Sequence, residues 1–163
     1  MAFHFERLHV LVVEDTEPLC KLVVSVLDTL GVGRVDVAED GQQGFVKFCR
    51  ENPDIVITDW HMTPVSGIDL VSQIRTDARS PNKMVPVIIM TGFNATQRVG
   101  FARDAGVTEY LVKPFSAGDL AKRIAHVIKN PRDFVLAPDF VGPDRRRRRD
   151  PDYKGPLRRF DDT

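Results

Sequence analysis

The sequence predicts an α/β fold in which a five-stranded parallel sheet is covered by helices on both faces. Five short apolar runs alternate along the chain with five amphipathic segments of helical period. The clearest run ends in a carboxylate: Ile55, Val56 and Ile57 are consecutive β-branched residues, and Asp59 follows them. A run of this kind is typical of a parallel strand that is buried on both faces. This alternation predicts a doubly wound domain.

The predicted strands are short, and polar or turn-forming residues follow most of them. They cover 8–13, 35–38, 54–58, 85–90 and 109–112. The predicted helices cover 18–30, 41–50, 68–78, 96–105 and a final segment capped by Ser116. Thr16 is the expected N-cap of the first helix, Pro18 is tolerated in its first turn, and Gly31 helps to end it. The count favours a flavodoxin-like (βα)5 domain with strand order 2-1-3-4-5.

Composition indicates one soluble domain with an appendage. The 163 residues are 42% hydrophobic and 28% charged, with a formal net charge of zero. Residues 131–163 hold nine basic and seven acidic side chains, so the remainder is net acidic, which argues against nucleic-acid binding by the main domain.

Cys20 and Cys49 are isolated, which indicates reduced core thiols. The sequence lacks a signal peptide and a membrane-spanning stretch, so we expect a cytoplasmic protein with no membrane insertion.

Five polar residues are predicted to meet at the carboxyl edge of the sheet, where strands 1 and 3 flank the reversal of winding. They are Glu14, Asp15, Asp59, Thr91 and Lys113. Clustered carboxylates repel one another and favour a cation, and hard oxygen ligands suit Mg²⁺. A carboxylate beside Mg²⁺ can attack a phosphoryl donor and form an acyl phosphate. The alternative for each residue alone is ordinary polarity at a strand end.

Residues 7–130 resemble the receiver domain of bacterial response regulators, close to CheY-like proteins. The matching marks are the Glu14–Asp15 pair, Asp59 with Met62 and Gly67 after it, Thr91–Gly92 and Lys113–Pro114–Phe115. The resemblance implies that Asp59 is the phosphoacceptor for a histidine kinase or phosphotransfer protein. It also implies that Glu14, Asp15, Asp59 and the backbone carbonyl of His61 hold Mg²⁺, and that Thr91 and Lys113 contact the phosphoryl group.

The same resemblance makes Tyr110 the switch aromatic, and the alternative is an ordinary half-buried strand residue. The Lys113–Pro114 bond matches the cis-peptide of the family. Two features depart from the family pattern. Pro64 stands one place later than usual, which leaves the loop shape open, and Phe93 cannot hydrogen-bond an attacking water, so we expect slow hydrolysis of phosphorylated Asp59. The chain is not expected to be an enzyme, beyond at most phosphorylating and dephosphorylating itself.

The tail, residues 131–163, is predicted to be mostly disordered. It contains five prolines and two glycines, and it shows no helical period. It is too short for a helix-turn-helix or catalytic output domain. The arginine run 145–149 alone would suit nucleic acid or anionic lipid.

Acidic residues placed among the arginines favour guanine instead, because an arginine fork reads O6 and N7 while a carboxylate accepts from N1–H and N2–H. The pattern resembles the RxD–x8–RxxD signature for cyclic di-GMP and the Cle group of CheY-like effectors, which act at the flagellar motor. The candidate nucleotide-binding residues are Arg147, Arg148, Asp150, Tyr153, Arg158, Arg159 and Asp162.

Three functional hypotheses follow. In the first, the chain is a CheY-like adaptor for chemotaxis that binds cyclic di-GMP through its tail and contacts the flagellar motor switch. The second is a conventional phosphorelay receiver without nucleotide binding. The third is a nucleic-acid-binding regulator that uses the arginine run, and selectivity for guanine nucleotides separates the first hypothesis from it.

Overall fold

A computed structural model of the protein describes residues 5–92, 106–129, 134–137 and 140–143. Its main feature is a parallel sheet with strand order β2-β1-β3-β4-β5, which confirms the predicted fold class. The strands are β1 His9–Val13, β2 Arg34–Ala38, β3 Ile55–Asp59, β4 Val87–Thr91 and β5 Glu109–Val112. Strand β4 begins and ends later than predicted, so Thr91 belongs to the strand itself.

Four helices cover the sheet in the described residues, after a short 3-10 turn, Phe5–Arg7. They are α1 Glu17–Thr29, α2 Gly41–Glu51, α3 Gly67–Thr76 and α4 Ala117–Lys129. The predicted helix 96–105 lies outside the described residues. Ser116 caps α4 as expected, because its hydroxyl accepts from the Asp119 amide at 3.1 Å while the Asp119 carboxylate accepts from the Ser116 amide. Thr16 stands at the N-cap of α1, but its side chain makes no capping bond.

The core consists of two layers, one on each face of the sheet. Alternate residues of the central strands point to opposite faces, so Val10 and Ile57 join the layer under α1 and α4, while Val13 and Val56 join the layer under α2 and α3. All five residues of β3 are buried, as predicted from its β-branched run. The strand that ends in Asp59 is therefore covered by a core layer on each face, and it lies between two neighbouring strands, β1 and β4.

A fully buried arginine forms hydrogen bonds at the edge of the sheet where β4 and β5 begin. The guanidinium of Arg75, in α3, donates to the backbone oxygens of Gly106, Lys83 and Val85 at 2.7–3.0 Å, and it also lies 3.4 Å from the Thr108 hydroxyl. Burial lowers the pKa of Arg75 to about 9. These bonds join the end of α3 to the segments that precede β4 and β5.

The first part of the tail forms a β-hairpin that the sequence analysis did not predict. Strands β6 Phe134–Ala137 and β7 Phe140–Pro143 pair antiparallel, and β7 contacts α3. Pro143 is buried. The apolar residues of this segment favour a packed structure more strongly than its Pro and Gly residues favour an irregular chain. Residues 144–163, which carry all the candidate nucleotide-binding side chains, lie outside the described residues. None of the described helices has the length and apolarity needed to cross a membrane.

Candidate phosphorylation site

Three carboxylates converge at the carboxyl edge of the sheet, as the sequence predicted. Glu14 and Asp15 follow β1, Asp59 ends β3, and these two strands are direct neighbours. Each residue offers an oxygen, and the three oxygens lie within 4.8 Å of one another. Glu14 is 2% exposed and Asp59 is 6% exposed, whereas Asp15 is open to solvent. The cluster is therefore a partly open pocket with two buried acids.

The side chain of Lys113 supplies the positive charge that the cluster requires. Its ammonium lies 2.8 Å from Asp59 Oδ1 and 3.9 Å from Glu14 Oε2. The Trp60 amide also donates to Asp59 Oδ1, at 2.9 Å. Among the described residues, both hydrogen bonds to this carboxylate go to the same oxygen, so Oδ2 remains available for a reaction or a ligand.

Glu14 is the buried member of the cluster whose ionised form is disfavoured by its surroundings. Burial, together with the nearby charge of Asp59, raises its pKa to about 7. The Thr16 amide, which donates to Glu14 Oε1 at 3.1 Å, and the Lys113 ammonium act in the opposite direction. Within the part of the chain that the structure describes, Oε2 has no hydrogen-bond partner, and the nearest cation is the Lys113 ammonium at 3.9 Å. A buried charge-bearing oxygen without a partner is costly, and a cation at this point would stabilise it.

The residues present fit a Mg²⁺ ion. All three ligand atoms are hard carboxylate oxygens, one of the residues is solvent-exposed, and the buried Oε2 of Glu14 accepts no hydrogen bond from the described residues. Glu14, Asp15 and Asp59 would hold the metal. His61, whose backbone carbonyl the resemblance adds to the set, is an exposed residue two positions after Asp59.

Strand β4 brings Thr91 to the same edge. In the register of β3 and β4, Asp59 lies opposite Met90, so Thr91 is one residue further along, and it is buried. The Lys113 amide donates to the Thr91 carbonyl at 2.7 Å, which ties the ends of β4 and β5 together. Thr91 therefore ends the strand next to the one that ends in Asp59, and Lys113 follows the strand beyond it; their contacts with a phosphoryl group stay predictions.

Tyr110 is partly buried on β5, in contacts that the sequence analysis missed. The Arg123 guanidinium lies over the Tyr110 ring, 5.7 Å from its centroid, and also pairs at 3.1 Å with Glu109, which is 3% exposed. His126 approaches the same carboxylate at 3.5 Å. The spacing of Arg123 and His126, three residues apart on one predicted helix, was the available signal. This cationic contact is consistent with either role of Tyr110, so the switch role stays a prediction.

The loop after Asp59 is short and tightly closed. The Gly67 amide donates to the Trp60 carbonyl at 2.9 Å, and a Cβ atom on Gly67 would stand only 1.9 Å from the Asp59 carbonyl oxygen. The Thr63–Pro64 and Lys113–Pro114 peptide bonds are both cis, the second as the resemblance implied. Phe93 lies outside the described residues, so the expectation of slow hydrolysis stays a prediction.

Comparison with known proteins agrees with this geometry. The family described as response regulator receiver domain matches residues 10–125. The chain is 31% identical over 124 residues to the chemotaxis protein CheY-3 of Vibrio cholerae, across 76% of this chain and 94% of that protein. It is 34% identical over 119 residues to the chemotaxis protein CheY1 of Helicobacter pylori, across 72% of this chain and 94% of that protein.

Solved structures show the same fold. The receiver domain of a Pseudomonas aeruginosa sensor histidine kinase, with a magnesium ion coordinated in its active-site cleft, superposes with a TM-score of 0.68. It is 25% identical, and the match covers 76% of this chain and 98% of that one. The chemotaxis protein CheY4 of Vibrio cholerae also gives a TM-score of 0.68, at 27% identity over 74% of this chain and 98% of that one.

Proposed function

The chain belongs to the response regulator receiver domain family, and we propose that it is a cytoplasmic CheY-like signalling adaptor that is phosphorylated on Asp59. The observation that carries the proposal is the position of the Asp59 carboxylate. It lies in contact with Lys113, close to two further carboxylates and at the end of a strand buried on both faces. This arrangement provides a nucleophile, a metal site and a cation for the added charge.

The phosphoryl donor would be a phosphohistidine on a histidine kinase or phosphotransfer protein. An Asp59 oxygen attacks the phosphorus, the new O–P bond forms, and the P–N bond breaks. The imidazole nitrogen leaves with the electron pair of that bond. A Mg²⁺ ion at the three carboxylates would offset the negative charge on the phosphoryl oxygens. Lys113 stabilises the added charge, and the Thr91 hydroxyl donates to a phosphoryl oxygen.

Labelling with acetyl phosphate and Mg²⁺ tests the phosphoacceptor. We expect one phosphoryl group per chain, which mass spectrometry locates at Asp59 and which Asp59→Asn abolishes. Undiminished labelling of Asp59→Asn would place the acceptor elsewhere. A matched control is Asp69→Asn, because Asp69 is an exposed carboxylate near the same loop and has no place in the pocket.

We further propose that the tail binds cyclic di-GMP. The support is the pattern of its residues: Arg148 and Asp150, then Arg159 and Asp162 after eight intervening positions, with Tyr153 between them. Arginine forks and carboxylates together suit the guanine edge, and the aromatic ring and guanidinium planes can stack on it. A purely electrostatic polyanion site would gain nothing from the interleaved acids.

Calorimetry with cyclic di-GMP tests the tail. We expect saturable binding that GTP and single-stranded RNA of equal concentration do not reproduce, and a loss of at least tenfold in affinity in Arg148→Ala/Arg159→Ala. Undiminished binding by this variant would overturn the site assignment. Equal binding of RNA and nucleotide would favour a general polyanion site.

The output partner in this proposal is the flagellar motor switch. The curated relatives quoted above are chemotaxis proteins, which supports a role of this kind. Binding of the purified chain to the motor switch protein, with and without beryllofluoride and cyclic di-GMP, tests it. An affinity that neither ligand changes would contradict the role of the chain as a regulated adaptor.

A further inference from the structure

We propose that the groove between α1 and the edge strand β2 is a docking site for a partner protein, and that it takes a cationic amphipathic helix of that partner. The groove has a volume of about 980 Å³, and most of its lining residues lie on α1, on β2 and in the turn between them. The inference goes beyond the proposed function, because the groove meets the phosphorylation pocket only at one end, at Glu14 and Asp15.

The floor of the groove is apolar. Val24 of α1 and Val35 and Val37 of β2 are partly buried, and they pack against the core layer under α1. Cys20 and Val32 complete the floor, and each is 8% exposed. The three partly buried valines leave apolar surface open to solvent, and a partner that covers this surface gains free energy from its burial.

The rim of the groove is acidic. Five of the lining residues are acids and one is a cation, Lys21, which pairs with Glu17 at 2.8 Å. Asp28 and Glu39 are exposed, and neither forms an ion pair with any residue that the structure describes. Asp28 lies in the last turn of α1 and Glu39 follows the end of β2, so the two carboxylates stand near opposite ends of the groove. A complementary partner therefore carries positive charges at both ends of an apolar stretch.

The edge of β2 favours a helix over an added strand as the occupant. The Arg34 amide donates to the Leu8 carbonyl, so residues 34, 36 and 38 face β1. The backbone groups of Val37 point away from the sheet, and the Lys47 ammonium of α2 donates to the Val37 carbonyl. A lysine placed at a sheet edge opposes the pairing of a further strand. A helix needs no backbone bonds from β2, because its side chains make the contacts.

The groove uses one side of α1 and leaves another apolar position of the same helix outside it. Leu22 is 50% exposed and does not line the groove, whereas Val24 does. Positions two apart on a helix point about 200° away from each other. The two sides of α1 can therefore be tested separately.

The probe is a fluorescently labelled peptide of about 14 leucine and lysine residues in helical period, which spans about 21 Å and matches the length of α1. Its control is a peptide of the same composition in strict alternation, which has the period of a strand. Anisotropy titrations use the full chain at about 0.15 M salt, where long-range attraction is screened. We expect the helical peptide to bind at least about tenfold more tightly than the alternating one. Equal affinities would overturn the helix as the occupant.

Charge reversal tests the rim. Asp28→Lys and Glu39→Lys should each weaken the helical peptide by at least about fivefold. Asp69→Lys is the matched control, because it makes the same change at an exposed carboxylate of α3 that does not line the groove. We expect it to change the affinity by less than about twofold. Equal losses in the three variants would mean general attraction between charges and would overturn the site.

Polar substitution tests the floor. Val24→Ser should weaken the helical peptide by at least about fivefold, and Leu22→Ser by less than about twofold. The reverse order would move the docking to the other side of α1 and overturn the groove. Val35→Thr is a second floor variant that keeps the branched shape and suits a strand, so it decides the matter if Val24→Ser does not fold. We expect it to weaken binding by at least about threefold.

Two further measurements identify where and what the groove binds. Nuclear magnetic resonance should show peptide-induced shifts concentrated in 20–28 and 32–39, and shifts confined to 119–126 would overturn the site. Spermidine should not displace the peptide at concentrations near the dissociation constant of the peptide. Displacement at such concentrations would identify a small polyamine as the occupant and overturn the proposed helix. Acetyl phosphate labelling of Asp59 tests the proposed function independently of all these outcomes.

Discussion

The Lys113 ammonium and the Asp59 carboxylate lie 2.8 Å apart although 54 residues separate them in the chain. The contact arises because β3 and β5 flank β4 in one parallel sheet, which puts their carboxyl ends at a common edge. A lysine at this point compensates two buried acids at once, since Glu14 is also within 3.9 Å. The first two predictions concern this balance of charge.

The metal-free protein should lose stability as the pH rises from about 4.5 to about 7. The folded state keeps a proton on Glu14 in this range because the pKa of Glu14 is raised to about 7, whereas the unfolded chain has released it. The contribution of Glu14 is therefore complete below pH 4.5 and is lost above its folded pKa. Urea unfolding at several pH values measures this slope. Mg²⁺ binds the ionised carboxylate, so its stabilising effect should grow over the same range.

Glu14→Gln separates this effect from other titrations. The amide keeps the shape of the side chain but carries no charge, so it should flatten the slope and raise the metal-free unfolding free energy at pH 8 by about 1–3 kcal/mol. It should also weaken Mg²⁺ binding, monitored by Trp60 fluorescence. A slope equal to that of the parent would show that Glu14 does not titrate in this window.

Replacing Lys113 by methionine should destabilise the metal-free protein by about 1–3 kcal/mol at pH 7. The change removes the cation from Asp59, whose side chain is 9% exposed, and breaking a partly buried ion pair leaves the other charge uncompensated. It should also raise the pKa of Glu14, because Lys113 acts to lower it. Lys21→Met is the matched control. Lys21 pairs with Glu17 on the surface of α1, where we expect a change below about 0.5 kcal/mol.

The pocket could be predicted from sequence because every member stands at or just past a strand end. Periodicity fixes the strands, the doubly wound order fixes which ends are neighbours, and the residue types then give the chemistry. The 2-1-3-4-5 order and the convergence of Glu14, Asp15 and Asp59 were both confirmed. The raised pKa of Glu14 was not predicted, because burial of one particular oxygen depends on packing.

The hairpin and the Arg123 contacts show what sequence patterns left out. The segment 134–143 has apolar residues on either side of Pro138, and no local pattern shows that they pair as two strands. Arg123 belongs to the solvent-facing side of a predicted helix, and only the tertiary structure brings it to Glu109 and Tyr110. Both features involve contacts between elements distant in the chain, which local periodicity does not encode.

Substituting Gly67 by alanine should disturb the phosphorylation site from a distance of eight residues. The added Cβ would meet the Asp59 carbonyl oxygen at 1.9 Å, and this oxygen belongs to a buried strand that cannot move away freely. We expect a loss of more than about 2 kcal/mol in unfolding free energy, typical of overpacking or backbone displacement, together with weaker Mg²⁺ binding.

Gly118→Ala is the control for Gly67→Ala, since it places a methyl group in the first turn of another helix. Its Cβ would lie 3.6 Å from the Ser116 hydroxyl, an ordinary contact. The greater helix propensity of alanine should leave stability unchanged or raise it by up to about 1 kcal/mol. Chemical denaturation of both variants makes the comparison, and equal effects would refute the close approach of α3 to Asp59.

Arg75→Ala should be among the most destabilising single substitutions outside the pocket. Arg75 is 1% exposed, and its guanidinium donates to three backbone carbonyls that its removal would deprive of a partner. Each deprived buried acceptor costs about 1–3 kcal/mol, and the cavity adds to the loss, so we expect a total of at least about 3 kcal/mol. Arg79→Ala is the comparison, because the Arg79 side chain is 73% exposed, pairs with Asp77 two positions away and lies over the Phe45 ring at 5.4 Å from its centroid. Its effect should stay below about 1 kcal/mol. Urea unfolding of the two variants at pH 7 makes the comparison. Equal losses would mean that the Arg75 bonds do not stabilise the segments that precede β4 and β5.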